Sequence, residues 1–165
     1  FLIGFMGSGK SHWGIQLSNK INIPFFDLDE KITETEGKPI NKIFEVNGEE
    51  YFRRKEKEVL HMLTEQNKTF VMACGGGTPC FYNNIEFLKK NGIVVWLNCS
   101  TESLYKRLLK EKDRRPLISK IPDIELKSYI IKKYSSRKIY YQQANIIINE
   151  ENLSLDMFVS QIFHN

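Results

Sequence analysis

The sequence has little of what secreted, membrane-embedded or zinc-binding proteins require. Its 165 residues include three cysteines, Cys74, Cys80 and Cys99, and no C-x-x-C pair. An odd number without that spacing argues against a disulfide framework and a zinc site, and it predicts a reducing, cytoplasmic location. No apolar run approaches the roughly 20 residues of a membrane span, and no secretory signal pattern is present.

A strong charge of one sign is also missing. The formal net charge of +4 at pH 7 suits anionic ligands but is too small to indicate a nucleic-acid surface. There is no internal repeat, low-complexity segment or linker, so residues 1–165 are predicted to form one domain. Because the chain begins inside an apolar run without Met, we expect the true N-terminus to lie upstream. We also expect a monomer, since no apolar patch is evident.

What the sequence does contain is a phosphate-binding loop. Residues 4–11 read Gly-Phe-Met-Gly-Ser-Gly-Lys-Ser, the pattern G-x-x-x-x-G-K-[ST]. Backbone N–H groups of such a loop surround phosphates, its lysine reaches the outer phosphates, and its serine can ligate Mg²⁺. The predicted nucleotide ligands are Gly7, Ser8, Gly9, Lys10 and Ser11. The alternative is a chance glycine-rich turn, which the apolar run before the loop and the helical pattern after it disfavour.

Apolar runs alternate with helical patterns along the whole chain. We predict strands over 1–5, 23–27, 69–74, 93–98 and 145–149, and helices near 10–20, 30–46, 49–66, 82–90, 101–111, 123–143 and 153–163. This alternation predicts an α/β fold in which helices cover both faces of a parallel sheet. Ligands of such sheets bind beyond the carboxyl ends of the strands, so the residues that follow each strand are the candidates for a site.

Two aspartates follow the second predicted strand. Asp27 and Asp29 are two residues apart, so an extended backbone would point both carboxylates the same way. We interpret one as support for a water of the Mg²⁺ shell and the other as an acceptor from a substrate hydroxyl, which a kinase needs beside its phosphate loop. The alternative is that Asp29 only caps a helix that begins at Glu30.

Three consecutive glycines, Gly75, Gly76 and Gly77, follow the third predicted strand. Glycine loses more conformational freedom on folding than any other residue, so such a run needs a reason. It predicts positive φ angles or very close approach of a ligand to the backbone. The alternative is a tight turn before Pro79, and a triple glycine alone identifies no ligand.

Arginines and a charged segment complete the candidate site. Arg53 lies beside the apolar stripe of its helix and Arg137 lies near the end of a long helix. Guanidinium groups form forked hydrogen bonds with carboxylates and phosphates. Residues 111–124 combine two prolines with dense charge and predict a mobile lid, from which Arg115 would reach the transferring phosphoryl group. The alternatives are surface charges and a solvated loop.

Together, these segments resemble shikimate kinase over nearly the whole chain. The matching residues are Gly4–Ser11, Asp27 to Asp29, Gly48, Glu49, Phe52, Arg53, Glu56, Gly75 to Gly77, Arg115 to Leu117, Arg137, Tyr141 and Ala144. The resemblance implies transfer of the γ-phosphoryl group of ATP to the 3-hydroxyl of shikimate, with Mg²⁺, in aromatic amino acid biosynthesis. It also implies a three-layer α/β/α P-loop NTPase fold with a five-stranded parallel sheet, in which helices over 30–66 hold the acceptor.

Site roles follow from the resemblance position by position. It implies a substrate-binding set that consists of Asp29, Arg53, Gly75, Gly76, Gly77 and Arg137. The two arginines would clamp the carboxylate of shikimate, and Asp29 would bind its hydroxyls and take the proton. The implied catalytic set is Asp29, Lys10 and Arg115, of which the two cations also bind the nucleotide. Ser11, together with Asp27 acting through water, would hold Mg²⁺.

The sequence departs from the family at three places. His12 stands where the family usually has Thr, which can alter a nucleotide contact, and its surroundings do not suit a catalytic histidine. The arginine that stacks on adenine has two candidates, Arg107 and Arg114. The fourth predicted strand ends in Asn98 without a carboxylate, which leaves metal support to Ser11 and Asp27.

Two other functions remain open on the residues alone. A gluconate or nucleoside monophosphate kinase would share the fold, although the arginine pair with the triple glycine favours a small carboxylated polyol. A non-catalytic nucleotide sensor would need no acceptor site, yet Lys10, Ser11 and Asp29 are all present. A GTPase is disfavoured because Asn67-Lys68-Thr69-Phe70 lacks the aspartate of a guanine-reading segment.

Overall fold

Five parallel strands form one sheet in a computed structural model that describes residues 1–164, apart from the side chains of Arg114 and Pro116. The strands are β1 Leu2–Ile3, β2 Phe25–Asp27, β3 Val71–Ala73, β4 Val95–Asn98 and β5 Ile146–Asn149. Their order is β2-β3-β1-β4-β5, and every neighbouring pair is parallel. The predicted parallel α/β sheet is confirmed, and each strand lies inside its predicted range.

Helices connect the strands. They are α1 Lys10–Ile21, α2 Leu28–Glu36, α3 Ile40–Gln66, α4 Asn84–Asn91, α5 Thr101–Glu111, α6 Pro116–Ser119, α7 Asp123–Tyr141 and α8 Leu155–Phe163. Short 3₁₀ turns occupy Thr78–Cys80 and Lys112–Arg114. Within residues 1–164, no helix is both long enough and apolar enough to cross a membrane.

Alternate residues of β1, β3 and β4 enter different hydrophobic clusters. On one face Ile3, Met72 and Trp96 join the larger cluster, which α3, α4, α5 and α7 cover. On the other face Leu2, Val71, Val95, Leu97 and Ile148 pack with residues of α1 and α8. Successive side chains of a strand point to opposite faces, so both faces of this sheet are buried. The predicted three-layer α/β/α arrangement is confirmed.

The predicted helix over 30–46 is wrong, because two separate helices occupy that range. Helix α2 ends at Glu36, and the next residue, Gly37, has a φ of 64°, the left-handed conformation common just after a helix. Pro39 has an extended backbone, and α3 begins after it at Ile40. Gly48 interrupts α3 with φ 83° and ψ 170°, so the helix bends there before its buried half. Residues of the second half, among them Val59, Leu60 and Leu63, join the larger hydrophobic cluster.

Candidate active site

The loop between β1 and α1 encloses the amino group of its own lysine. Gly7 and Gly9 have φ angles of 79° and 86°, which residues other than glycine rarely adopt. These turns bring Lys10 Nζ to 2.9 Å from the carbonyl oxygens of both Gly4 and Phe5. The loop therefore holds an ammonium group at the carboxyl end of β1, next to the N-terminus of α1, where an anion is favoured.

Burial lowers the pKa of Lys10 to about 8, and the negative charge of Asp29 only partly offsets this effect. Desolvation disfavours the charged form of an amine. An anionic ligand beside the ammonium group would raise that pKa again and gain from the pairing. The electrostatics of the loop thus favour binding of a phosphate chain.

Asp27, the last residue of β2, links the phosphate loop to α2. Its Oδ2 accepts a hydrogen bond of 2.5 Å from Ser11 Oγ, and its Oδ1 accepts bonds from the N–H groups of Asp29 and Glu30. Asp27 is therefore the N-cap of α2. The alternative that Asp29 caps this helix is wrong, and so is the expectation of extended backbone through Asp29, which lies in the first helical turn.

The capping role of Asp27 leaves the carboxylate of Asp29 available for a ligand. Burial raises the pKa of Asp29 to about 6, and the nearby carboxylates of Glu56 and Asp27 raise it further, while Lys10 and Arg53 oppose them. A carboxylate that binds its proton near neutrality suits general base catalysis better than an ordinary aspartate does.

Asp29 lies on a cavity of about 250 Å³ beside the phosphate loop. All six predicted substrate-binding residues line this cavity. The complete lining is Met6, Asp29, Ile40, Asn41, Phe44, Phe52, Arg53, Glu56, Gly75, Gly76, Gly77, Arg115, Leu117 and Arg137. Segments that are distant in the sequence therefore meet at one edge of the sheet.

Arg53 lies at one wall of this cavity with 7% of its surface exposed. Its Nη1 donates to Glu56 Oε1 at 2.9 Å, and its Nε and Nη2 donate to Glu49 Oε1. The guanidinium carbon lies 4.2 Å from the ring centre of Phe81. Glu56 is fully buried, and its other oxygen accepts from Thr78 Oγ1 at 2.7 Å. These contacts hold the guanidinium group in one orientation.

The three glycines leave room for the charged side chains around them. A Cβ atom on Gly77 would lie 2.6 Å from Arg53 Nη2, and one on Gly76 would lie 3.3 Å from Arg137 Nη1. A Cβ on Gly75 would lie 3.0 Å from a Glu56 oxygen. None of the three has a positive φ angle, so that part of the expectation is wrong, whereas the alternative of a tight turn before Pro79 is present: the N–H of Thr78 donates to the carbonyl oxygen of Gly75 at 3.1 Å. The reason for the triple glycine is close approach of site side chains to the backbone.

Helix α7 brings Arg137 to the same cavity. Arg137 is 9% exposed, and its guanidinium carbon lies 5.7 Å from the ring centre of Phe5. One turn further along α7, the hydroxyl of Tyr141 donates to the carbonyl oxygen of Gly76 at 2.5 Å. The glycine segment is thus held between α3 and α7.

The predicted lid begins with paired charges. Arg115 lines the cavity, but its Nε and Nη2 both donate to Glu111 Oε2, at 2.8 and 2.5 Å. Lys112 Nζ lies 2.5 Å from Asp123 Oδ1, which joins the two ends of the segment over 111–124. The cation of Arg115 is therefore close to the acceptor cavity while a glutamate neutralises it.

On the opposite side of the phosphate loop, Arg107 is the only one of the two adenine candidates whose side chain can be described, since Arg114 lies outside the described side chains. Arg107 Nη1 donates to the carbonyl of Gly7 at 3.1 Å, and Nη2 pairs with Glu150 after β5. His12 is exposed and contacts Gln16 and the edge of Trp13. Neither contact gives His12 a nucleophile to activate.

Three residues of the site had no role assigned from the sequence. Glu56 and Thr78 orient Arg53, and Tyr141 holds Gly76. The spacing of Glu56, three residues after Arg53, does predict that the two side chains meet on one helix face. The contacts of Thr78 and Tyr141 join distant segments, and no local pattern signals them.

The oxygen ligands of the site fit Mg²⁺. Within the described residues no group of three or more His, Cys, Asp or Glu side chains could hold a metal alone. The Ser11 hydroxyl and the Asp27 carboxylate do lie together at the loop. Mg²⁺ usually takes one or two protein oxygens, keeps several waters and shares phosphate oxygens of its nucleotide, which this sparse set allows.

Comparison with known proteins connects this geometry to one family. A family model described as shikimate kinase matches residues 6–165. A shikimate kinase of Flavobacterium psychrophilum is 39% identical over 154 residues, which cover 92% of this chain and 90% of that protein. Another from Bacteroides thetaiotaomicron is 39% identical over 153 residues, with 93% and 87% of the two chains covered.

Solved structures show the same likeness. A crystal structure of shikimate kinase from Bacteroides thetaiotaomicron superimposes with a TM-score of 0.89 at 34% identity, covering 100% of this chain and 97% of the other. A shikimate kinase from Acinetobacter baumannii in complex with shikimate superimposes with a TM-score of 0.83 at 32% identity, covering 99% and 88%. The similarity includes every segment that contributes to the cavity.

Proposed function

The chain belongs to the shikimate kinase family, and from that premise we propose which residues perform each part of the reaction. The enzyme transfers the γ-phosphoryl group of ATP to the 3-hydroxyl of shikimate, which yields shikimate 3-phosphate and ADP. The reaction belongs to aromatic amino acid biosynthesis and uses Mg²⁺. The assignments below rest on the contacts of the cavity and the phosphate loop.

Arg53 and Arg137 bind the carboxylate of shikimate in this proposal. Both are more than nine-tenths buried, and they approach the cavity from α3 and α7 on either side of the three glycines. Guanidinium groups in a water-poor site bind a carboxylate more strongly than they would in water. The glycine backbone, which has no side chains in the way, offers N–H groups to the same anion.

Asp29 accepts the proton of the reacting hydroxyl. Its carboxylate lines the cavity and has a pKa of about 6, so it is ionised at neutral pH and still basic enough to take the proton. The hydroxyl oxygen attacks the γ-phosphorus while the bond to the β-phosphate oxygen breaks. The proton passes to Asp29, and ADP leaves with the electron pair.

Lys10 and Arg115 neutralise the phosphates during transfer. Phosphoryl transfer depends on positioning and charge stabilisation more than on covalent catalysis. Lys10 lies in the loop, and Arg115 already lines the cavity from the lid, where it pairs with the transferring phosphate once phosphate replaces Glu111. Gly7, Ser8 and Gly9 supply the backbone of the cradle around the same phosphates.

Ser11 and Asp27 would hold Mg²⁺, the aspartate through a water. The ion supplies positive charge that draws negative charge away from the transferring group. The short contact between Ser11 Oγ and Asp27 Oδ2 supports this assignment, because both oxygens belong to one small site beside Lys10.

Arg107 contacts the nucleobase side of ATP. In-line transfer requires acceptor and leaving group on opposite sides of the phosphoryl group. The acceptor cavity lies on the β2 and β3 side of the loop, so ADP extends toward β4 and β5. Arg107 lies there, against Gly7 and Glu150, with a planar guanidinium group that can stack on a base.

The proposal depends on one observation: the cavity in which Asp29, Arg53, Arg137 and the glycines converge beside the phosphate loop. A coupled assay of ADP release tests it with shikimate, gluconate and nucleoside monophosphates as acceptors. We expect turnover with shikimate that exceeds the others by orders of magnitude. Preferred phosphorylation of gluconate or a nucleotide would reject the acceptor assignment, and nucleotide binding without any turnover would point to a sensor.

We also propose that residues 1–165 act as a single-domain monomer in the cytoplasm, with a lid over 111–124 and acceptor-binding helices over 30–66. The free cysteines Cys74, Cys80 and Cys99 support a reducing compartment. Light scattering tests the first point, and slower proteolysis of 111–124 with both ligands bound tests the lid.

A further inference from the structure

Tyr141 is a buried residue that the reaction scheme does not use. It is fully buried in α7, one turn after Arg137, and its hydroxyl donates to the carbonyl oxygen of Gly76 at 2.5 Å. Burial raises the pKa of this phenol above its usual range, so it remains a hydrogen-bond donor at every working pH. The rings of Trp96 and Tyr134 pack against it, with ring centres 5.8 and 6.4 Å from its own.

The hydrogen bond fixes the peptide group between Gly76 and Gly77. No peptide bond of the described chain is cis. In a planar trans peptide the C=O and the N–H point in opposite directions. Since the oxygen of Gly76 points at Tyr141, the N–H of Gly77 must point away from α7. Tyr141 is not among the residues that line the acceptor cavity, whereas Gly76 and Gly77 are.

The neighbours of Gly77 indicate what its N–H would bind. A Cβ atom on Gly77 would meet the guanidinium group of Arg53 at 2.6 to 2.9 Å, so backbone and guanidinium group are direct neighbours. No oxygen of residues 1–164 accepts a hydrogen bond from this N–H. A donor without a partner, beside a buried cation at the wall of a cavity, suits an anionic oxygen.

We propose that Tyr141 is a positioning residue for the acceptor: its hydroxyl holds the carbonyl of Gly76 and thereby turns the N–H of Gly77 toward the carboxylate that Arg53 binds. This inference rests on the proposed function, because the carboxylate is that of shikimate. Without the hydroxyl, the peptide between the two glycines rotates more freely, since neither residue has a side chain that restrains it.

The test is Tyr141→Phe, which keeps the ring and removes only the hydroxyl. Tyr134→Phe is a matched control, because Tyr134 is in the same helix and donates its hydroxyl to Asn98 Oδ1 at 2.8 Å, outside the acceptor cavity. Initial rates give KM for shikimate, KM for ATP and kcat for both variants. The same measurements with the methyl ester of shikimate show whether the effect depends on the carboxylate.

For Tyr141→Phe we expect KM for shikimate to rise roughly 3- to 10-fold, the effect of one hydrogen bond. KM for ATP should change less than twofold. With the methyl ester as acceptor, KM of Tyr141→Phe should equal that of the wild type. Tyr134→Phe should leave all three constants within twofold. An equal loss with shikimate and its ester, or no rise in KM in a folded Tyr141→Phe protein, would overturn the proposal.

A measurement on the unaltered protein does not depend on the variant's folding. The amide proton of Gly77, followed by NMR, should shift downfield when shikimate binds and shift much less with the ester. A Gly77 amide signal whose chemical shift does not change when shikimate binds would refute the proposal. Absence of shikimate turnover in the wild type would instead reject the proposed function, so the two failures are distinguishable.

Discussion

Two arginine–glutamate pairs border the active site, and they differ in burial. Arg53 and Glu56 have side chains that are 8% and 0% exposed, whereas those of Arg115 and Glu111 are 36% and 48% exposed. The partners are close in the sequence in both pairs, at the i,i+3 spacing for Arg53 and Glu56 and the i,i+4 spacing for Glu111 and Arg115, so local spacing alone does not distinguish them. The first belongs to the acceptor cavity and the second to the lid.

Burial decides what each pair can do. Separating the partners of a buried pair leaves an unpaired charge shielded from water, which is strongly unfavourable. Such a pair therefore keeps its geometry. An exposed pair contributes about 0–1 kcal/mol, so another anion can replace one partner at little cost. The acceptor side, with Arg53 and Glu56, therefore has its geometry before the substrate binds and forms a preformed socket. On the lid side, Glu111 pairs with Arg115 until phosphate replaces the glutamate. Four substitutions test this contrast.

The largest expected effect comes from Asp29→Asn. If Asp29 takes the proton of the acceptor, kcat should fall roughly 10²- to 10⁴-fold, because the amide cannot act as a base. ATP affinity, measured by equilibrium titration, should stay within about twofold. The exposed neighbour Glu30→Gln is the control and should remain active. Unchanged kcat in Asp29→Asn would remove the residue from the mechanism.

The same residue sets a pH dependence. Its raised pKa of about 6 means that the carboxylate becomes protonated as pH falls through that value. The base form is lost, so kcat/KM for shikimate should decline toward acid pH with a limb near pH 6. The residual activity of Asp29→Asn should lack that limb. A wild-type profile that stays flat down to pH 5 would contradict the assignment.

Arg53→Ala should have the next largest effect. It removes a cation from the preformed socket, and loss of one partner of a buried charge pair typically costs about 2–5 kcal/mol of binding. KM for shikimate should therefore rise by roughly 30-fold or more. Arg54→Ala is the matched control, since Arg54 is the exposed next residue.

A change of ATP affinity with normal shikimate binding would place Arg53 on the wrong side of the site. Glu56 loses its buried partner in the variant, so thermal unfolding has to be measured alongside. A lowered Tm with intact shikimate binding would leave Arg53 with a structural role only.

The contrast also explains what could be predicted from the sequence. The alternation of strands and helices predicted the parallel sheet, because burial on both faces requires apolar strands and amphipathic helices. The glycines and Lys10 predicted the phosphate loop because their spacing in the sequence directly determines the shape of that loop. Local signals of this kind depend on only a few neighbouring residues.

Other features depend on contacts between distant segments. Asp27 rather than Asp29 caps α2, which became evident only when the helix start was known. The glycines avoid Arg53, Arg137 and Glu56 rather than adopt positive φ, a reason that lies 20 to 60 residues away in the chain. Nothing in a local window signals such proximity. The sequence therefore indicated that the glycine segment is important, but the reason for the glycines lies in tertiary packing.

Gly77→Ala should have an intermediate effect. The new methyl group would lie 2.6 Å from Arg53 Nη2, and the pairing with Glu56 prevents the guanidinium group from moving away freely. Overpacking of this kind costs about 1–3 kcal/mol. We expect KM for shikimate to rise about tenfold, with KM for ATP as the internal control. Normal shikimate binding would show that the socket is softer than its contacts indicate.

Glu111→Gln should have the smallest effect, in the opposite direction. In the described lid the Glu111 carboxylate neutralises Arg115, and phosphate has to displace it before the cation reaches ATP. The amide competes less well, so KM for ATP should fall by about two- to fivefold, within the range of an exposed pair. Initial-rate measurements at low ionic strength, where such pairs are strongest, give the clearest comparison.

Glu102→Gln is the matched control for Glu111→Gln. Glu102 lies on the same helix as Glu111, α5, is exposed to a similar degree, and pairs with Lys127 of α7. It should leave KM for ATP unchanged and so separate the local effect from the loss of one negative charge. A fall of KM in both variants would mean that net charge, rather than release of Arg115, attracts ATP. A rise of KM in Glu111→Gln alone would mean that the pair positions Arg115 instead of holding it back, and the lid would then be as preformed as the socket.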